Sequence, residues 1–196
     1  GFSALAIPKI LDRLASCDAC LIGPGLGRTS VVFQLVQTVL RESTVPVVVD
    51  ADGLNVLAGH IDILREATCP IVLTPHWGEF LRLTNGLSSE DRQMDARNLA
   101  EETGCIVLLK GHQTLITDGK TGYWNGTGNP GMATGGSGDV LGGIIVSLIG
   151  QKVPPLVAAA CGAWVHGAAG DICARKIGEC GMTPSDLIQA VPRLFK

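Results

Sequence analysis

The chain has 196 residues, 46% of them apolar and 17% charged, with a formal net charge of −3. That length suits a single domain over 1–196 with an ample core, and the charge balance offers no basic stripe, so nucleic acid is excluded as an expected partner. The longest apolar run, 140–149, falls short of the roughly 20 residues of a membrane helix, and no signal peptide opens the chain; the expectation is a cytoplasmic protein with no membrane partner.

Gly1 is not an initiator Met, and residues 1–17 read as the tail of a unit already under way. Within them, 8–17 carry a helical apolar spacing, with Pro8 suited to a first turn. Cys17 and Cys20 form a lone CxxC with no second pair to complete a zinc site. Together with the cysteines at 69, 105, 161, 173 and 180 they read as small buried hydrophobes kept reduced, and no metal-ligand set is expected. Residues 19–23 form a short apolar strand that stops at GPGLG. Its glycines 23, 25 and 27 make a turn before a helix over 30–42, with Thr29 or Ser30 as cap. The spacing is GxGxG, not the dinucleotide fingerprint GxGxxG. Open parallel sheets bind ligands at the carboxyl ends of their strands, which suits backbone contact in this turn.

The run 46–49 is β-branched without alternation, as in a parallel strand covered on both faces. It ends in DADGLN, where Asp50, Asp52 and Asn55 suit either ligand contact or a turn with an N-cap for a helix from Leu54. A strand over 70–73 closes with TPHWGEF. His76 falls at the same sheet edge as the two earlier loops, which favours ligand contact, and Glu79 opens the next helix as an N-terminal acid. A helix over 89–103 has SSEDRQ at its start and Gly104 just past its end. The strand 105–110 ends in Lys110 and Gly111, and a lysine placed there needs a partner for its charge: phosphate, favoured here, or a surface carboxylate. Residues 113–117 and 121–125 flank DGK as a hairpin.

The stretch 129–143, NPGMATGGSGDVLGG, carries the strongest chemical signal. A glycine-rich loop feeds the start of a buried helix, where unpaired amides and the positive end of the helix dipole favour an anion. Asp139 stands beside that cradle, where it either caps the helix or takes a proton from a bound hydroxyl. The pairing of anion cradle and base points to phosphoryl chemistry. No Walker A pattern is present, which argues against a P-loop enzyme. A long Ala- and Gly-rich helix over 155–176 follows, with Trp164 and His166 read as core or groove lining. Thr183 and Pro184 then open a terminal helix.

In this order GPGLG, VVDADGLN, LTPHWGE, LLKGHQTLI, GTGNPGMATGGSGDVLGG and WVHGAAGD resemble the ADP/ATP-dependent NAD(P)H-hydrate dehydratases of the ribokinase-like superfamily. The resemblance implies an α/β fold, a three-layer sandwich around a mostly parallel sheet. It also implies repair of the hydrated nicotinamide ring of NADH or NADPH: ADP or ATP with Mg²⁺ phosphorylates the ring hydroxyl, and phosphate is then eliminated. Carried over by motif, Asp139 contacts the hydrate and acts as base, and Gly136, Ser137 and Gly138 hold the transferring phosphate. Lys110, Gly111, His112, Gln113 and Thr114 bind the adenine nucleotide, while Gly25, Gly27 and His76 line the hydrate site; Asp50, Asp52, Asn55 and Asn129 are further candidates. Relatives are often homo-oligomeric. They also carry an upstream segment with a first strand and a Gly-rich turn, which is expected to be missing from this chain. Two other readings stand beside this one: a ribokinase-like kinase of a small alcohol such as a hydroxymethylpyrimidine, and a nucleotide-binding fragment without catalysis.

Overall fold

A six-stranded sheet runs through the middle of the computed structural model, which describes residues 3–195. The strands are β1 (Cys20–Ile22), β2 (Val47–Val49), β3 (Ile71–Leu73), β4 (Ile106–Leu109), β5 (Leu115–Thr117) and β6 (Gly122–Trp124), adjacent in that order. The first four are parallel, because a helical segment separates each from the next; β4, β5 and β6 are antiparallel, joined by tight turns. The DGK turn forms as the sequence suggests, with the Asp118 carboxylate accepting from the amides of Lys120 and Thr121 at 3.0 and 2.6 Å.

The register sorts the β-branched runs onto two faces. Val47, Val49, Ile71, Leu73, Val107 and Leu109 lie in the core beneath α2 (Ser30–Glu42), α5 (Trp77–Leu83) and α6 (Arg92–Thr103). Their neighbours Val48, Val72, Leu108 and Ile116 lie beneath α7 (Ser137–Gly150) and α8 (Pro155–Ile177). The four parallel strands are therefore apolar at every position, and the architecture is the three-layer sandwich. Three shorter helices, α1 (Ile7–Leu14), α3 (Asp52–Val56) and α4 (Asp62–Arg65), join the first layer, and α9 (Pro184–Ala190) packs on α8. The small residues of α8 let it approach α7 closely: a Cβ on Gly162 would stand 2.6 Å from Ile145 Cγ1.

Several sequence expectations need correction. By length and composition α8 is apolar enough to cross a membrane, so the run 140–149 does not set the limit; half of its apolar window is buried inside the fold, as for a core helix. Cys17, Cys161 and Cys180 are exposed and Cys20 and Cys69 half-buried, leaving only Cys105 and Cys173 as buried hydrophobes. Trp164 is exposed rather than lining the core. The first helix ends at Leu14, three residues early, and α3 starts at Asp52 rather than Leu54. α6 starts at Arg92, because Asp91 is its cap, accepting from the amides of Gln93 and Met94. Ser88 and Ser89, read as part of that cap, instead bind the buried Asp95 carboxylate. Burial acts to raise the Asp95 pKa, but the Ser89 and Ser88 hydrogen bonds win and hold it below the ordinary range. The other caps fall as read: Thr29 on α2, Gly104 past α6, and Thr183 in a capping box with Asp186 on α9.

Candidate active site

The loops that follow β1, β2, β3 and β4 all emerge at one edge of the sheet, where parallel sheets bind ligands. Their first job is to hold one another. Gly23 has φ +128°, and a Cβ there would stand 1.8 Å from the Asp50 carbonyl oxygen, so only glycine lets the β1 and β2 loops touch. Ala51, at φ 50° and ψ −117°, is in a conformation uncommon for a side-chain-bearing residue. The two acids beside it serve different partners. Asp52 accepts from the Gly27 amide at 2.9 Å and from Arg28 Nε at 3.0 Å, fixing the GPGLG turn. Asp50, 2% exposed, accepts from Lys110 Nζ at 2.7 Å. Neither acid caps a helix. Asn55 braces the same turn, donating to the Ala51 carbonyl and accepting from Arg82.

Lys110 has a second acid within reach, the buried Glu79, with Oε2 at 3.7 Å. Its partners within the protein are thus two interior carboxylates rather than a surface acid. Glu79 is placed by a capping box at the start of α5: its carboxylate accepts from the His76 amide at 2.9 Å, and His76 Nδ1 accepts from the Glu79 amide at 3.2 Å. Because Nδ1 is an acceptor, the neutral ring carries its proton on Nε2, which lies 3.6 Å from Glu79 Oε1. The His76 side chain remains 55% exposed at the mouth of the edge, tied to Lys110 by a β-bridge.

The start of α7 comes to the same place. A Cβ on Gly138 would stand 3.4 Å from Asp50 Oδ2 and 3.5 Å from Lys110 Nζ. Gly136 caps the helix at φ +91°. The amides of Gly135, Gly136, Gly138 and Asp139 donate to no acceptor among the described residues, whereas the Ser137 amide is taken by the Thr134 carbonyl. Asp139, in the first turn, is exposed and makes no side-chain hydrogen bond among the described residues. Ser137 Oγ sits 3.2 Å from Nε2 of His166 on α8. Burial, with the nearby Lys110 charge adding to it and the Ser137 contact opposing, pushes the His166 ring down to about 4, so it is neutral at physiological pH.

The structure thus brings Asp50, Lys110, Gly138 and Asp139 together, with His76 at the rim. It adds Glu79 and His166, which the sequence presented only as a helix acid and a core histidine. Asn129 is not among them: it donates to Asp171 and accepts from the Gly131 amide, tying its loop to α8. Gly25 and Gly27 are exposed, with open space where a Cβ would stand. Beyond Lys110, Thr114 Oγ1 donates to the Gly111 carbonyl and accepts from its amide, and Gln113 has φ +57°, so the segment is a tight turn with His112 and Gln113 exposed. Among the described residues no group of three or more His, Cys, Asp or Glu could hold a metal. A cavity of about 410 Å³ between α5, α6 and residues 84–89 shares no residue with this edge.

A family model described as NAD(P)H-hydrate dehydratase matches residues 3–193. A bifunctional NAD(P)H-hydrate repair enzyme from Moorella thermoacetica is 48% identical over 196 residues, spanning 97% of this chain and 37% of the relative. An ADP-dependent (S)-NAD(P)H-hydrate dehydratase from Neisseria meningitidis serogroup B is 42% identical over 175 residues, 86% of this chain and 59% of the relative. Among solved structures, the ADP/ATP-dependent NAD(P)H-hydrate dehydratase of Bacillus subtilis, co-crystallised with ATP/Mg²⁺ and soaked with CoA, superposes with a TM-score of 0.80 at 27% identity, covering 97% of this chain and 76% of that one. The chain spans little more than a third of the length of the bifunctional relatives it matches. The ribokinase-like sandwich, the strand-end loops and the extent of these matches agree, and the chain belongs to the NAD(P)H-hydrate dehydratase family.

Proposed function

We propose that this chain dehydrates NAD(P)H hydrate, using ADP or ATP with Mg²⁺, and restores the reduced nicotinamide ring. The observation that carries this reading is the pairing at the start of α7: four amides and the Asp139 carboxylate, side by side and without a hydrogen-bond partner among the described residues. Asp139 takes the proton of the ring hydroxyl as its oxygen attacks the terminal phosphorus. The nucleotide leaves one phosphate shorter, carrying the electron pair of the broken P–O bond. Phosphate then departs with the C–O electron pair, and loss of a ring proton restores the double bond. Phosphoryl transfer is mainly positioning and charge stabilisation, which suits an amide cradle.

Gly135, Gly136, Gly138 and Asp139 supply the amides, and Ser137 supplies a hydroxyl held by neutral His166. Lys110 to Thr114 bind the nucleotide; Gly25, Gly27 and His76 line the hydrate site. Mg²⁺ bound with the nucleotide would supply neutralisation of phosphate charge. The residues present suit that role: with no cluster of three or more possible ligands among the described residues, the cation would be held mainly by the nucleotide's own phosphate oxygens with one carboxylate at most, while the α7 amides bind phosphate oxygen. Seven unpaired thiols support a reducing, cytoplasmic setting. Tyr123 and Trp124 on the exposed edge strand, with Trp164, support self-association into a homo-oligomer, which sedimentation would test.

The test is incubation of the chain with hydrated NADH, ADP or ATP, and Mg²⁺. Recovery of absorbance at the reduced-nicotinamide band is expected with wild type and not with Asp139→Asn. Nucleotide-dependent thermal stabilisation without any recovery overturns the enzymatic reading.

A further inference from the structure

The segment that leads into α7 has glycines at 128, 131, 135, 136 and 138, and glycine has the most backbone freedom to lose on ordering. Amides that are to converge on one anion must therefore be held by something other than their own backbone. Both ends of 128–137 are tied to α8. At one end the Asp171 carboxylate accepts from the Gly128 amide at 3.0 Å through Oδ2 and from Asn129 Nδ2 at 3.1 Å through Oδ1. At the other, Ser137 Oγ meets His166 Nε2.

Between these ties the chain is linked step by step. Asn129 Oδ1 accepts from the Gly131 amide and so caps the 3₁₀ turn Pro130–Met132. The Pro130 carbonyl then accepts from the Ala133 amide, the Met132 carbonyl from Thr134, and the Thr134 carbonyl from Ser137. A shift at Asn129 is thus passed to the first turn of α7. One face of α8 is shaped to receive the segment. The carbonyls of Ala163 and Trp164 accept from Asn125 Nδ2 at 3.3 Å and Thr127 Oγ1 at 3.0 Å. A Cβ on Gly167 would stand 2.6 Å from the Thr127 carbonyl carbon, and one on Gly170 2.8 Å from Met132 Cγ. Residues 163, 167, 170 and 171 recur at the three- and four-residue spacing of a single helix face. Asp171 is half-buried and pairs with no Lys, Arg or His among the described residues, so its charge is committed to the loop's two donors. Hydrogen bonds to a carboxylate are roughly twice as strong as neutral ones, which suits a tether.

We propose that Asp171 is a positioning residue for phosphoryl transfer. It acts through the loop and not on a ligand, holding the glycine-rich segment so that the amides of Gly135, Gly136, Gly138 and Asp139 stay aimed at the transferring phosphate. The proposal rests on the dehydratase reading. Donors fixed in advance need no reorganisation as charge develops, and a misplacement of about 1 Å can cost a reaction about 10²-fold.

The test compares Asp171→Ala and Asp171→Asn with wild type in the full chain, by steady-state kinetics with hydrated NADH and by calorimetric titration with ADP. Asp171→Ala is expected to lower kcat roughly 10- to 100-fold and to weaken ADP about tenfold, with KM for the hydrate within about twofold. Asp171→Asn keeps one acceptor oxygen and is expected to fall between the two proteins in both measurements. Gly167→Ala pushes Thr127 without touching the carboxylate and is expected to show the same split between kcat and hydrate KM; with Asp171→Asn it carries the test if Asp171→Ala does not fold. A lowered unfolding midpoint with unchanged kcat and ADP affinity would show a merely structural tie and overturn the proposal. Equal weakening of ADP and hydrate would overturn it too. The dehydratase reading fails separately, if wild type turns over no hydrate; the ADP titration then still decides whether Asp171 sets the cradle.

Discussion

Two groups of polar atoms meet at the sheet edge, and they are built on opposite terms. Asp50, Glu79 and Lys110 form a closed group: two interior carboxylates share one ammonium, and their other contacts go to the protein's own atoms. The start of α7 is open, with amides that have no acceptor and an acid that has no donor among the described residues. Interior charges left unpaired are costly, so the closed group is a structural clamp joining the ends of β2, α5 and β4. Unpaired amides tolerated at an exposed helix start mark where a ligand completes the structure. The contrast supports a scaffolding role for the first group, beside the nucleotide contact proposed for Lys110, and the proposed chemistry at the second.

The sharpest way to break that contrast is to disable each group in turn. Asp139→Asn keeps size and exposure and removes only the base, so kcat is expected to fall roughly 10²–10⁴-fold, with ADP affinity within about twofold of wild type and unfolding unchanged. Lys110→Met acts on the closed group. It strands two buried carboxylates, and denaturant unfolding is expected to show a loss of about 3 kcal/mol or more. Removing the acid as well, in Asp50→Leu with Lys110→Met, should recover part of that loss. The Lys110→Met variant is expected to weaken ADP binding as well, since Lys110 opens the proposed nucleotide segment; full stability with weakened ADP binding would remove the clamp role and leave only the ligand contact.

Much of this was legible in the sequence, for identifiable reasons. Runs such as VVV at 47–49 and IVL at 71–73 have no alternation, which fits only a strand covered on both faces. Thr29, Gly104 and Thr183 cap helices through local hydrogen bonds that local sequence encodes. What stayed hidden was long-range choice. Asp50 and Asp52 are two residues apart with the same chemistry, yet one turns to Lys110, sixty residues on, and the other back to Gly27. Only the backbone at Ala51 separates them. His166 was hidden likewise, since its helix looks like pure packing until α7 delivers Ser137 to its ring.

His166 sharpens the comparison from the open side. Its folded pKa of about 4 lies below the unfolded value near 6.5, so the unfolded chain binds the proton more readily. The resulting stability is complete above pH 6.5 and is lost as pH falls through the folded value, by an amount on the order of 3 kcal/mol. His166→Gln should flatten that part of the unfolding profile between pH 6.5 and 4. An identical profile in both proteins would mean that the ring is solvated rather than buried against Ser137.

The smallest expected effect comes from Asp52, which belongs to neither group but shapes the turn facing the open one. Asp52→Ala removes acceptors from the Gly27 amide and from Arg28, whose side chain is 60% exposed and contributes little by itself. The cost in stability is therefore about 1 kcal/mol, mainly from the Gly27 amide. The freed GPGLG turn gains conformations that its positive-φ glycines at 25 and 27 readily permit. If that turn lines the hydrate site, KM for the hydrate rises several-fold while KM for ADP and the pH dependence of kcat stay as in wild type, because neither the amides of α7 nor Asp139 has moved. A matching rise in both KM values would place the turn under the nucleotide instead, and the division between a fixed clamp and an open phosphate cradle would have to include it.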